Sequence, residues 1–127
     1  MIMGGMAWTE VIVELAILLP DRVRLSSSGD STSVQVRYTD YPYAEGWVPI
    51  GQLTDTLVPL TSSGLLFLEA SLRETCEERG WGWCVGSSEG PVAASASVTL
   101  GARTYLENAP APVEALALAL LKGLKST

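Results

Sequence analysis

The sequence predicts an α+β fold, an antiparallel sheet of about four strands with helices packed on it, in the order αββ-loop-αββα. Three observations carry that expectation. Val92, Ala94, Ala96, Val98 and Leu100 alternate with Ala93, Ser95, Ser97 and Thr99, a clean period of two. Val113, Leu116, Ala117, Leu120, Leu121 and Leu124 recur at helical spacing. Val23 and Leu25, then Val34, Val36 and Tyr38, alternate with polar residues on either side of a Ser/Gly/Asp turn at residues 26–30.

Residues 8–19 carry two signals. Thr9 as an N-cap, Glu10 in the first turn and Pro20 as a stop favour a helix, with Val11, Ile12, Leu15, Ala16 and Leu19 on one face. The β-branched run Val11-Ile12-Val13 favours a strand. Residues 22–25 and 33–38 then form the first hairpin, one face buried and one wet. Residues 39–62 read as a long irregular section with Pro42, Pro49 and Pro59. It admits a short strand at 47–50 or a turn near 52–57, and a loop of that length is usually functional or wrongly assigned.

Residues 63–79 form the clearest helix, with Ser62 or Ser63 as cap and Gly80 at its end. Leu65, Leu68, Leu72 and Cys76 share one stripe, and Glu69–Arg73 is an i,i+4 ion pair. Trp81, Trp83 and Val85 open the second hairpin, which turns at residues 87–90. Its small Ala94 and Ala96 let a helix approach the sheet closely. The last helix starts at Pro112, has Glu114 near its positive end, and carries Lys122 and Lys125 at its negative end. A helix followed by a hairpin thus occurs twice, at residues 9–38 and 63–100. Residues 1–127 read as one domain: an N-terminal helix, hairpin and loop over 1–61, and a helix-hairpin-helix over 62–127.

Charge and composition exclude several functions. Fourteen acidic against eight basic residues give a net charge of −6, and the basic residues are scattered. Direct nucleic-acid binding needs clustered cations, so it is not expected. The absence of histidine removes Ser-His triads, imidazole acid–base catalysis and most zinc sites. No catalytic residue, metal site or cofactor is expected. The first basic residue is Arg22 and the apolar run 11–19 is too short for a bilayer of about 30 Å. The expectation is a cytoplasmic protein that does not engage a membrane. Cys76 and Cys84 are too few for a disulfide scaffold, and in that compartment they are expected to stay reduced; whether they pair is left open by their spacing.

Residues 65–124 resemble the phage ABA-sandwich domain family. The resemblance rests on Glu78-Arg79-Gly80-Trp81-Gly82-Trp83 at the helix-to-strand junction. It also rests on Pro112-Val113-Glu114-Ala115-Leu116-Ala117-Leu118-Ala119-Leu120-Leu121, with Ala111 where members commonly place Thr. HicB-type antitoxins show a similar hairpin and Glu-Ala-Leu helix. The resemblance implies a phage or mobile-element origin and brings no catalytic residues.

The best functional candidate is the segment 38–47, where Asp40, Tyr41, Tyr43, Glu45 and Trp47 combine aromatic area with two carboxylates. It is expected to bind a host or defence protein, as an anti-CRISPR-like inhibitor does. A HicB-like or DNA-mimic regulator is the alternative, with Asp40, Glu45, Asp55, Glu89 and Glu107 as an acidic surface. A homo-oligomeric structural protein is the other, using the uncharged row Ser95, Ser97 and Thr99 as its association face.

Overall fold

The computed structural model describes residues 8–54, 57–59, 63–87 and 94–127. Three helices and seven strands are found among them. In chain order these are α1 (Trp8–Leu18), β1 (Val23–Ser28), β2 (Ser31–Arg37), β3 (Trp47–Leu53), β4 (Leu57–Pro59), α2 (Gly64–Glu78), β5 (Gly82–Ser87), β6 (Ala94–Leu100), β7 (Arg103–Ala109) and α3 (Pro112–Lys125). The α+β class is as expected. The strands, however, form two antiparallel sheets rather than one of about four: β1-β2-β3-β4 and β5-β6-β7.

The helices connect the sheets. α1 packs on β1, and α2 on β2 and β3. α3 packs on β5, β6 and β7 and also on both other helices. Its composition explains that position. Ala115, Ala117 and Ala119 are buried alongside the stripe Val113, Leu116, Leu120, Leu121 and Leu124, so the helix is apolar around most of its circumference. Against it lie the buried Ala94, Ala96 and Val98 of β6, whose small side chains permit a close approach. The first sheet contributes Val23, Val34, Val36, Val48 and Ile50 to the same core, with Val11, Ile12 and Leu15 of α1 and Leu68, Leu72 and Cys76 of α2.

Trp8–Leu18 is helical, which settles the competing strand signal. Thr9 lies inside the helix and is not its cap. The first hairpin is tighter than expected. Its strands continue through Ser26–Ser28 and Ser31–Ser33, so the turn is only Gly29-Asp30, with Gly29 at φ 61°.

Three strands, β3, β4 and β7, are absent from the expected order, although a short strand at 47–50 is admitted within its loop. β3 takes up residues 47–53 of the long loop and pairs along β2. The register passes from Val34↔Gly51 to Gln35↔Pro49, so Ile50 has no partner on β2. That bulge turns both Ile50 and Gly51 inward, and the Ile50 carbonyl meets the first residue of α2. A Cβ on Gly64 would stand 2.5 Å from the Ile50 oxygen, so only glycine fits there. β7 makes the second hairpin a three-stranded sheet and leaves β6 in its centre. The turn expected at 87–90 lies mostly outside the described residues, as does Ser62. No helix among the described residues is long and apolar enough to cross a membrane.

Candidate functional site

The segment between β2 and β3 is a closed loop. The Tyr38 N–H donates to the Gly46 carbonyl at 2.8 Å, which joins its two ends. Inside it, Tyr41 N–H donates to Tyr38 O at 3.0 Å and Gly46 N–H to Tyr43 O at 2.9 Å. The loop leaves by a single 3-10 turn, Ala44–Gly46, in which Glu45 (φ 57°) and Gly46 (φ 89°) are both left-handed. A Cβ on Gly46 would meet the Tyr38 oxygen at 3.0 Å. Glycine is therefore required by angle and by space, whereas Glu45 accepts the strain of a left-handed non-glycine residue.

The aromatic residues of the loop divide into two groups. Tyr38 and Tyr41 are half-buried against Phe67 of α2, with ring centroids 6.0 Å and 5.8 Å away. Tyr43 stands edge-on to Tyr41 at 5.7 Å and is 69% exposed. Trp47 belongs instead to the outer face of the first sheet. There it lies under the Arg24 guanidinium, whose Cζ is 4.1 Å from the ring centroid. Arg24 Nε also donates to Gln35 Oε1 at 2.5 Å. Asp40 is exposed and accepts from the Tyr38 hydroxyl at 3.4 Å. That neighbouring carboxylate, helped by burial, raises the Tyr38 pKa above its ordinary value.

A buried arginine anchors the loop's root. Arg22 was expected on the wet side of a strand, but it is 8% exposed. Its Nη1 reaches Glu74 Oε1 at 2.6 Å and its Nη2 reaches Glu78 Oε1 at 2.5 Å, while Nη1 also donates to the Arg37 carbonyl. Burial alone would lower the Arg22 pKa; hydrogen bonds and attraction from Glu78 and Glu74 outweigh it and raise the value. Glu74 further accepts from both the backbone N–H and the hydroxyl of Thr39. A cleft of about 260 Å³ opens beside this network, lined in part by Arg22, Arg37, Thr39, Glu78 and Arg79. The one sequence signal for it was the i,i+4 spacing of Glu74 and Glu78.

Three residues of the expected acidic surface are described, and they divide between the two sheets. Glu107 lies on the inner side of β7 and is paired with Lys122 of α3 at 2.5 Å, far in topology from Asp40 and Glu45 at the first sheet. Asp55 and Glu89 lie outside the described residues. Ser95, Ser97 and Thr99 are half-buried on the outer face of β6. Because β6 is paired on both sides, they offer a face and not an edge. Their cross-strand neighbours are Gly86, Cys84 and Gly82 on β5 and Asn108, Leu106 and Thr104 on β7, so all nine positions are uncharged. Cys84 is free and exposed there, while Cys76 is free in the core. Burial pushes the Cys76 thiol up to about 11.

No family model, curated protein or solved structure compared with the chain matches it.

Proposed function

We propose that this chain is a non-catalytic binding protein that captures a protein partner through residues 38–47, with Tyr43 as the anchor. The supporting observation is the exposure of Tyr43, 69%, on a loop closed at its base, whose Tyr41 packs edge-on against Phe67. A large aromatic held outward by a rigid support loses little entropy on binding, and such residues dominate interface energetics. The partner we propose is a host or defence protein met by a phage or mobile element in the host cytoplasm, a reading supported by the resemblance of residues 65–124. The mechanism is occlusion: the loop covers a surface the partner needs, with no bond made or broken and no cofactor.

Affinity capture from a candidate host tests this reading. The wild-type chain should retain a specific protein that Tyr43→Ala and Trp47→Ala lose, while both variants keep the wild-type circular dichroism. Equal capture by the two folded variants would remove the loop from the function.

A second reading is supported by the uncharged outer face of the second sheet. In a chain of net charge −6, two copies meet with least repulsion where neither carries charge, so that face would form a homo-oligomer. Light scattering on the purified chain discriminates the two.

A further inference from the structure

We infer that the outer face of the first sheet, where Arg24 and Arg37 flank Trp47, receives carboxylates from an acidic segment of a protein partner. This rests on the binding-protein reading above and names the chemistry on one side of the partner.

The register builds the site. Arg24, Gln35 and Pro49 form one cross-strand row, and Arg37 and Trp47 face each other in the next. The intervening row Val23, Val36 and Val48 points into the core. Two guanidinium side chains and one indole are therefore gathered at three strands of one sheet. Among the described residues Arg24 is held by neutral groups: the Gln35 side-chain oxygen takes its Nε–H and the Trp47 ring takes its face. That leaves the Nη donors of a fixed, planar fork for an outside acceptor, the geometry that suits a carboxylate.

The ion pairs within the chain sharpen the point. Arg22, Arg73, Lys122 and Lys125 each have a carboxylate within ion-pair distance. Among the described residues Arg24 and Arg37 have none, and neither do Arg79 and Arg103, although acidic residues outnumber basic ones by fourteen to eight; what sets Arg24 apart is its Gln35 hydrogen bond together with the Trp47 ring. An arginine aligned by uncharged neighbours keeps its charge available and its orientation set, which reduces the ordering cost of binding.

The same geometry disfavours nucleic acid. Single strands bind by stacking bases on exposed aromatic faces along a basic groove. Here Arg24 covers the Trp47 face, and a polyphosphate would meet the repulsion of a net −6 chain beyond the range of two cations. A short acidic segment brings one or two carboxylates to the arginines without that long-range cost.

The test is a titration of the full chain with a short oligo-glutamate peptide, followed by the NMR signals of the arginine Nε–H and indole N–H groups. Arg24 and Trp47 signals should move saturably, and binding should weaken as salt rises. Arg24→Gln and Arg37→Gln should each weaken it about threefold to tenfold with little change in thermal midpoint. Arg24→Lys should fall between Arg24→Gln and wild type, because charge is kept and the fork is lost. The proposal is overturned if the peptide moves neither signal, if both glutamine variants bind it as wild type does, or if oligo-lysine or oligothymidylate binds more tightly. If Tyr43→Ala loses a captured partner and Arg24→Gln keeps it at full affinity, the acidic-segment proposal falls while the binding-protein reading stands.

Discussion

Glu74 holds Thr39 twice: its Oε1 accepts from the Thr39 backbone N–H and from the Thr39 hydroxyl, each at 3.1 Å. The same oxygen takes the Arg22 Nη1 at 2.6 Å. One carboxylate on α2 thus ties the start of β1 to the root of the aromatic loop. Glu74→Ala leaves Thr39 and part of a buried guanidinium without their acceptor. We expect a loss of about 1–3 kcal/mol in unfolding free energy by urea titration, and faster amide exchange at residues 39–41 than elsewhere. Wild-type stability and exchange in that variant would show that Glu78 alone holds Arg22 and that the loop root needs no tie.

Gly64 offers a separate check on how α2 meets the first sheet. Alanine there would place its Cβ 2.5 Å from the Ile50 carbonyl oxygen, a backbone atom that cannot swing aside. Although alanine is the better helix former, Gly64→Ala should destabilise the chain by about 1–3 kcal/mol through overpacking. A gain in thermal midpoint would mean that α2 does not approach β3 as described.

These contacts also show what could be read from the residues and what could not. α3 was legible because its apolar stripe is long and periodic, and all six stripe residues are buried. β7 was not, because its alternation is inverted. Leu106 faces outward at 61% exposure, while Glu107 faces inward and is neutralised by Lys122. β3 was obscured by Pro49 and Gly51 and by a bulge that puts Ile50 and Gly51 on the same buried side. Within the candidate site, the aromatic cluster at residues 38–47 was visible as composition. Its division between Phe67 and Arg24 was not, since both partners come from elements distant in the chain.

Glu114 links stability to pH. Its half-buried carboxyl in the first turn of α3 has a pKa raised by desolvation. A carboxyl with a raised folded-state pKa supports the fold while protonated, below its unfolded value, and that support is lost as pH rises through the folded value. Glu114→Gln, which cannot ionise, should therefore raise the thermal midpoint at neutral pH and leave it unchanged well below the carboxylate range. A loss of stability at neutral pH would mean that attraction to the helix N-terminus outweighs desolvation.

The two thiols should separate in reactivity and in what they report. Cys84 is exposed on the uncharged outer face of the second sheet, and Cys76 is buried with its pKa raised to about 11. A thiol reagent at neutral pH should modify Cys84 at once and Cys76 only on unfolding. Mild oxidation should give a Cys84-linked dimer at low protein concentration if copies associate through that face. Rapid modification of both thiols in the folded chain would contradict the burial of Cys76.

Tyr41 and Tyr43 are adjacent in space and unlike in role, one packed on Phe67 and one turned outward. Measuring partner affinity and unfolding free energy together, in Tyr43→Ala and Tyr41→Ala, tests the binding-protein reading most directly. Tyr43→Ala should lose tenfold or more in affinity, about 1.4 kcal/mol, with unfolding free energy within about 0.5 kcal/mol of wild type. Tyr41→Ala should cost about 1–2 kcal/mol of stability as its packing on Phe67 is lost. Unchanged affinity in a folded Tyr43→Ala chain would contradict the account, because the anchor proposed for the loop would then have no partner.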